Sequence, residues 1–202
     1  GLLARRFDLV NGQPQSYAEP LRISFVGDSI TQGTGSTDAL RTAYPARVLE
    51  MAEQDGRELI VGNYGVGGST VMHYGRAWYN ATLAYAVAYG EADSGCIFIA
   101  LGTNDAQIAG GTTGQTNRFA RMYEELVKSF GELPNTEKVF ASSAIYRLTS
   151  QKQQDVRAVS VIRPVQKHVL EALSKQEPDT YVYVDLYALL LEDAVKDTLF
   201  AG

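Results

Sequence analysis

Apolar residues in this chain come in short runs bounded by turn residues: Ile23–Val26, Leu59–Val61, Cys96–Leu101, Val139–Ile145 and Tyr181–Val184. Runs of this length, apolar at most successive positions, predict five strands buried on both faces. Between them the period changes. Phe119, Met122, Tyr123, Leu126, Val127 and Phe130 recur at spacings of three and four, and Gly131 follows as a C-terminal stop. Ala43–Gln54, with Pro45 near its first turn, Ala81–Tyr89, Pro164–Lys175 and Tyr187–Lys196 read as further helices. Strands that alternate with helices and are apolar on both faces imply an α/β fold, a mainly parallel five-stranded sheet sandwiched between helix layers. Such sheets bind ligands at the carboxyl ends of their strands.

Ahead of the first strand, Asn11–Pro20 carries Gly12, Pro14, Ser16 and Pro20 and reads as a linker. Residues 1–20 are expected to form an N-terminal arm, and 21–202 one domain. A chain of 202 residues with 45% hydrophobic content supports one substantial core.

Charge narrows the partners. A net charge of −5 gives no basic surface with which to grip nucleic acid or an anionic membrane. A small or neutral substrate fits better. The 2 histidines and single cysteine show no ligand spacing, so neither metal nor cofactor is expected. Cys96, followed by Ile97, Phe98 and Ile99, reads as a buried strand position. No apolar run approaches the roughly 20 residues that span a bilayer. A chain opening on Gly1 is consistent with a trimmed precursor, and Asn80-Ala81-Thr82 fits the N-glycosylation pattern, which leaves localisation and oligomeric state open.

The candidate chemistry lies at the strand ends. The first strand runs into Gly27-Asp28-Ser29-Ile30-Thr31-Gln32-Gly33, which sets a serine at the sheet's carboxyl edge. The second leads into Asn63-Tyr64-Gly65-Val66-Gly67-Gly68-Ser69-Thr70, whose glycines let backbone N–H groups face a ligand. The third ends in Gly102-Thr103-Asn104-Asp105, an amide donor beside a carboxylate. Taken singly, each has a plain reading as a turn or a helix cap. A phosphate cradle is disfavoured, because neither glycine stretch ends in Gly-Lys-Ser/Thr.

Taken together and in order, Gly-Asp-Ser-Ile-Thr, Asn-x-Gly-x-Gly-Gly-x-Thr and Gly-Thr-Asn-Asp resemble the first three blocks of the GDSL/SGNH hydrolases, a superfamily of serine esterases and lipases, from about Leu21 onward. The resemblance implies a flavodoxin-like, three-layer α/β/α sandwich. It also implies that Ser29 is a nucleophile, and that the N–H groups of Ser29 and Gly68 with the Asn104 side-chain amide form an oxyanion hole. Asp28 and Asp105 would then brace loops.

A serine hydroxyl needs a base, usually a histidine oriented by a carboxylate. The family carries these in an Asp-x-x-His block after its last helix, whereas the sequence ends at Asp197-Thr198-Leu199-Phe200-Ala201-Gly202. His73 and His168 do not follow an Asp at that spacing, and both are expected to be structural or solvent-facing. The block is therefore expected beyond Gly202, and these residues alone are expected to be nearly inactive. A non-catalytic binding relative and an acyltransferase using the same serine are the alternatives.

Tyr64, Tyr74, Trp78 and Tyr79 cluster on and after the second block, and Tyr146 with Arg147 follows the fourth strand. Flat rings there could stack on sugars, or could equally be core. The resemblance, at this small single-domain size, favours a small-acyl esterase or carbohydrate O-acetyl esterase.

Overall fold

The computed structural model describes residues 6–10, 13–17, 20–73, 78–92, 95–109, 111–145 and 156–190. Five strands, β3 (Leu21–Gly27), β4 (Leu59–Gly65), β5 (Cys96–Ala100), β6 (Lys138–Ser142) and β7 (Tyr181–Val184), pair in the order β4-β3-β5-β6-β7. Every pairing is parallel, from Gly27 opposite Gly65 and Ala100 to Ser142 opposite Val184. This is the flavodoxin-like order, in which the chain changes direction across the sheet between β3 and β5.

One face of the sheet is sealed. Val26, Ile97, Ile99, Val139 and Ala141 are fully buried there, in one core with Phe119, Tyr123, Leu126, Val127 and Phe130 of α5 (Thr113–Gly131) and Leu170 and Leu173 of α6 (Arg163–Gln176). These α5 residues are the stripe that the sequence spacing predicts, and Thr112 starts the helix by accepting from the Gln115 N–H at 3.3 Å. Across the sheet, Phe25 and Phe98 pack edge to face with Tyr44, at the start of α3 (Tyr44–Gln54), which supplies the third layer.

Some boundaries move. The helix expected from Ala81 begins instead as α4 (Leu83–Ala92) after a 3-10 turn at Tyr79–Ala81, because the Thr82 hydroxyl caps it, accepting from the Tyr85 N–H at 3.1 Å. The fourth strand stops at Ser142, short of Ile145, where the Ala144 N–H turns to the Gln166 side chain. Of the helix expected over Tyr187–Lys196, residues 186–190 are helical and the rest lie outside the described residues. The linker-like stretch is not irregular throughout: β1 (Arg6–Val10) and β2 (Gln13–Tyr17) form a separate antiparallel hairpin, with Pro14 opposite Leu9. Two-stranded ribbons tolerate proline because each strand has an open edge. Cys96 is buried in β5, and burial pushes its thiol pKa up.

Candidate functional site

The carboxyl ends of β3, β4 and β5 meet at the point where the strand order reverses. From β3 the chain enters a single helical turn, α1 (Ser29–Gln32). Asp28 caps it, its Oδ1 accepting from the Ile30 N–H at 2.9 Å, and Gly33 closes it at φ +88°. Ser29 is therefore the first helical residue, half-buried, in a single turn closed by the Gln32 N–H donating to the Asp28 carbonyl at 3.0 Å.

Strand β4 reaches the same place by close backbone approach. A side chain at Gly65 would sit 2.2 Å from the Gln32 nitrogen, so only glycine lets the strand end lie against α1. Asn63 locks the contact from both sides. Its Nδ2 donates to the Thr31 carbonyl at 2.8 Å while its Oδ1 accepts from the Gly65 N–H at 3.0 Å.

The chain then turns through Val66-Gly67-Gly68-Ser69, with the Ser69 N–H donating to the Val66 carbonyl at 3.1 Å. Gly68 takes φ +76°, the left-handed value that a type II turn demands at its third position. A Cβ on Gly67 would lie 4.0 Å from Ser29 Cβ, so this turn runs directly beside the serine.

Strand β5 supplies the third side. Asn104 Nδ2 donates to the Ser69 carbonyl at 3.1 Å and to Asp28 Oδ2 at 3.4 Å. One side chain thus links the β5 turn to the glycine turn and to the cap of α1. Asp105 is wholly buried and accepts from the Val71 and Met72 N–H groups at 2.9 and 2.8 Å. Burial raises its carboxyl to about 6, against the pull of those two amides. Both aspartates brace loops, as the resemblance implies. Ser29, Gly68 and Asn104 all lie at this strand-end cluster. The role of Asn63 as a clasp is legible in the sequence only as the first letter of the second block.

A cavity of about 320 Å³ opens beside the cluster on the Tyr44 side, lined by Asp28, Ile30, Tyr44, Phe98, Ser142 and Leu186 among others. The aromatics divide. Tyr79 is fully buried and donates to the Tyr64 carbonyl at 2.7 Å, so it is core, while Trp78 is half-buried with the His73 ring 4.9 Å away. Tyr74, Tyr146 and Arg147 lie outside the described residues. His73 and His168 are both exposed, the latter on α6. No group of three or more metal-ligating side chains occurs among the described residues, and no described helix is long and apolar enough to cross a membrane.

A flavodoxin-like α/β protein with a serine turn, a glycine turn and an amide donor at its switch point is of the hydrolase type that the three sequence blocks suggest. The chain belongs to the GDSL-like lipase/acylhydrolase family, which it matches over residues 25–201. Its fold is similar to that of Axe2, an acetylxylan esterase from Geobacillus stearothermophilus, with a TM-score of 0.62, 20% identity, and 88% of this chain and 80% of that chain covered. It is also similar to a lipolytic G-D-S-L family protein from Veillonella parvula, with a TM-score of 0.55, 19% identity and coverage of 90% and 87%. A family two carbohydrate esterase from Clostridium thermocellum, solved as an active-site mutant in complex with cellohexaose, gives a TM-score of 0.58 at 18% identity, covering 89% of this chain and 58% of that one. No curated protein matches the sequence.

Proposed function

We propose that this protein is a serine esterase that removes a small acyl group, acetyl first of all, from a carbohydrate. In this reading the Ser29 hydroxyl attacks the ester carbonyl and its proton passes to a base. Negative charge then gathers on the former carbonyl oxygen. The N–H groups of Ser29 and Gly68 and the Asn104 amide, already gathered at the strand ends, receive that charge. Collapse of the intermediate expels the sugar alcohol and leaves an acyl-serine, which water cleaves by the same route.

The observation that supports this most is the meeting of three separate strand ends around one serine: the α1 turn, a glycine turn in which a Cβ added at Gly67 would lie 4.0 Å from Ser29 Cβ, and an asparagine amide bonded into both. Membership in a family of acylhydrolases supports the reaction class. The acetylxylan and carbohydrate esterases of similar fold favour a glycan ester. The base is proposed to be the histidine of an Asp-x-x-His block, a pattern that the 202 residues do not contain.

Treating the full-length protein with a fluorophosphonate, mapping the adduct and assaying acetate release from acetylated xylan tests this reading. Adduct at Ser29 with acetate released is the expected result. No adduct, with acetylated glycan still bound, would replace the esterase by a non-catalytic binding protein. An adduct whose acyl group passes to added alcohol in preference to water would make it an acyltransferase.

A further inference from the structure

Beneath the β5 turn lies a polar side chain that the proposed chemistry does not use. Gln166 of α6 is completely buried. Its Nε2 donates to the Leu101 carbonyl at 2.8 Å and its Oε1 accepts from the Ala144 N–H at 2.7 Å, so one amide joins the ends of β5 and β6. The fit is tight. At Gly102, φ +117°, an added Cβ would meet Gln166 Nε2 at 2.9 Å and Ile162 Cγ2 at 3.0 Å.

Ile162 closes a π-helical turn, Ala158–Ile162, that leads into α6, and both of its end residues are fully buried. Turns of this kind re-aim the side chains that follow them. On the other side, the Tyr123 hydroxyl of α5 is buried close to the Gln166 amide, without a hydrogen bond of good geometry. An apolar side chain of similar length would fill this space equally well. What the amide adds is direction: two bonds of modest net stability, one to the Leu101 carbonyl and one from the Ala144 N–H, that hold the Leu101–Gly102 peptide in one orientation against the end of β6.

From that peptide the chain runs through Gly102 and Thr103 straight to Asn104. Resting on the esterase reading above, the geometry points to Gln166 as a positioning residue for Asn104, holding the turn from below so that the side-chain amide stays aimed at the developing oxyanion. Small displacements of such donors lower the rate of the chemical step far more than they weaken substrate binding.

The test is a double-mutant cycle in the full-length protein, with kcat and KM measured on p-nitrophenyl acetate and folding checked by thermal unfolding. Gln166→Met keeps the volume and removes both bonds. It is expected to lower kcat on the order of 10-fold at nearly unchanged KM. In an Asn104→Ala background the same change should have little effect, since the donor it positions is gone. Gln166→Glu supplies the rescue: its protonated carboxyl donates to Leu101 and accepts from Ala144. Its kcat relative to the parent should therefore rise as pH falls, while that of Gln166→Met stays flat.

Equal losses in both backgrounds, an unchanged kcat, or unfolding of both variants would make Gln166 a purely structural residue and overturn the proposal. Full activity of Ser29→Ala and Asn104→Ala would instead overturn the esterase reading itself.

Discussion

The Asn104 side chain donates to the Ser69 carbonyl, closing the turn after the third core strand onto the glycine turn after the second. Its longer contact, 3.4 Å to Asp28, is the weaker of the two. In the proposed esterase reaction an incoming oxyanion would take over that hydrogen while the Ser69 bond holds the amide in place. Asn104→Ala should therefore lower kcat by roughly 10²–10³ with KM little changed, and Ser29→Ala should lower it by on the order of 10⁶. Steady-state hydrolysis of an acetyl ester by the full-length variants checks both. A loss confined to KM would remove Asn104 from the oxyanion hole.

Gly65 and Gly68, two of the three glycines of the second block, are constrained for different reasons, and alanine separates them. At Gly65 a methyl group would lie 2.2 Å from the Gln32 nitrogen, so the strand end and α1 must move apart. Gly65→Ala should destabilise the fold by about 1–3 kcal/mol, as overpacking does, and displace Ser29 with α1. At Gly68 a methyl group meets nothing within 4 Å, yet φ is +76°. Gly68→Ala should lose about 1 kcal/mol of stability, through backbone strain alone. Denaturant unfolding of the two variants is expected to rank them in that order.

Asn63 connects a sequence letter to a physical task. Its amide fills two bonds at once, to the Thr31 carbonyl and the Gly65 N–H. Asn63→Ala should cost about 1–3 kcal/mol. Asn63→Asp, which keeps the acceptor and loses the donor, should fall between the two proteins in a urea melt. If the aspartate variant matches the parent, the bond to Thr31 is not what holds α1.

Much of this was legible in the sequence because the relevant signals are local. The five apolar runs fall on the five strands and the structure buries the α5 stripe from Phe119 to Phe130 with Met122 half-buried, but β4 is not buried on both faces as its run predicts, because it lies at the sheet edge and leaves Ile60 exposed. The blocks around Ser29, Gly68 and Asn104 were visible because tight turns restrict residue type. Contacts between distant positions leave no such trace. Gln166 bonds to Leu101, 65 residues away, and within its own helix it looks like any polar residue. Tyr79 looked like a possible sugar platform because aromatic composition does not say which way a ring points, and it proved to be core. The β1–β2 hairpin was missed because Gly12 and Pro14 dominate a stretch whose pairing depends on a partner strand.

Two carboxylates give opposite pH dependences, which distinguishes burial from ion pairing. Asp105 is raised to about 6 by desolvation, above the roughly 4 of an unfolded aspartate. The folded state therefore holds its proton more tightly, and stability falls as pH rises from about 4 to 6, by on the order of 3 kcal/mol from this group. Asp185 is lowered, first by the paired bonds from Arg163 at 2.9 and 2.7 Å. Its contribution is present above about pH 4 and disappears as pH falls through its folded value. Both partners are about a quarter exposed, with side-chain exposures of 29% and 26%, so solvent screening holds that contribution to about 1 kcal/mol. Urea unfolding of the parent, Asp105→Asn and Asp185→Asn between pH 3 and 7 should show the two differences from the parent moving in opposite directions. The gap to Asp105→Asn should narrow with rising pH, and the gap to Asp185→Asn should widen. Parallel curves would mean that Asp105 is held ionised by its two backbone amides strongly enough to cancel its burial.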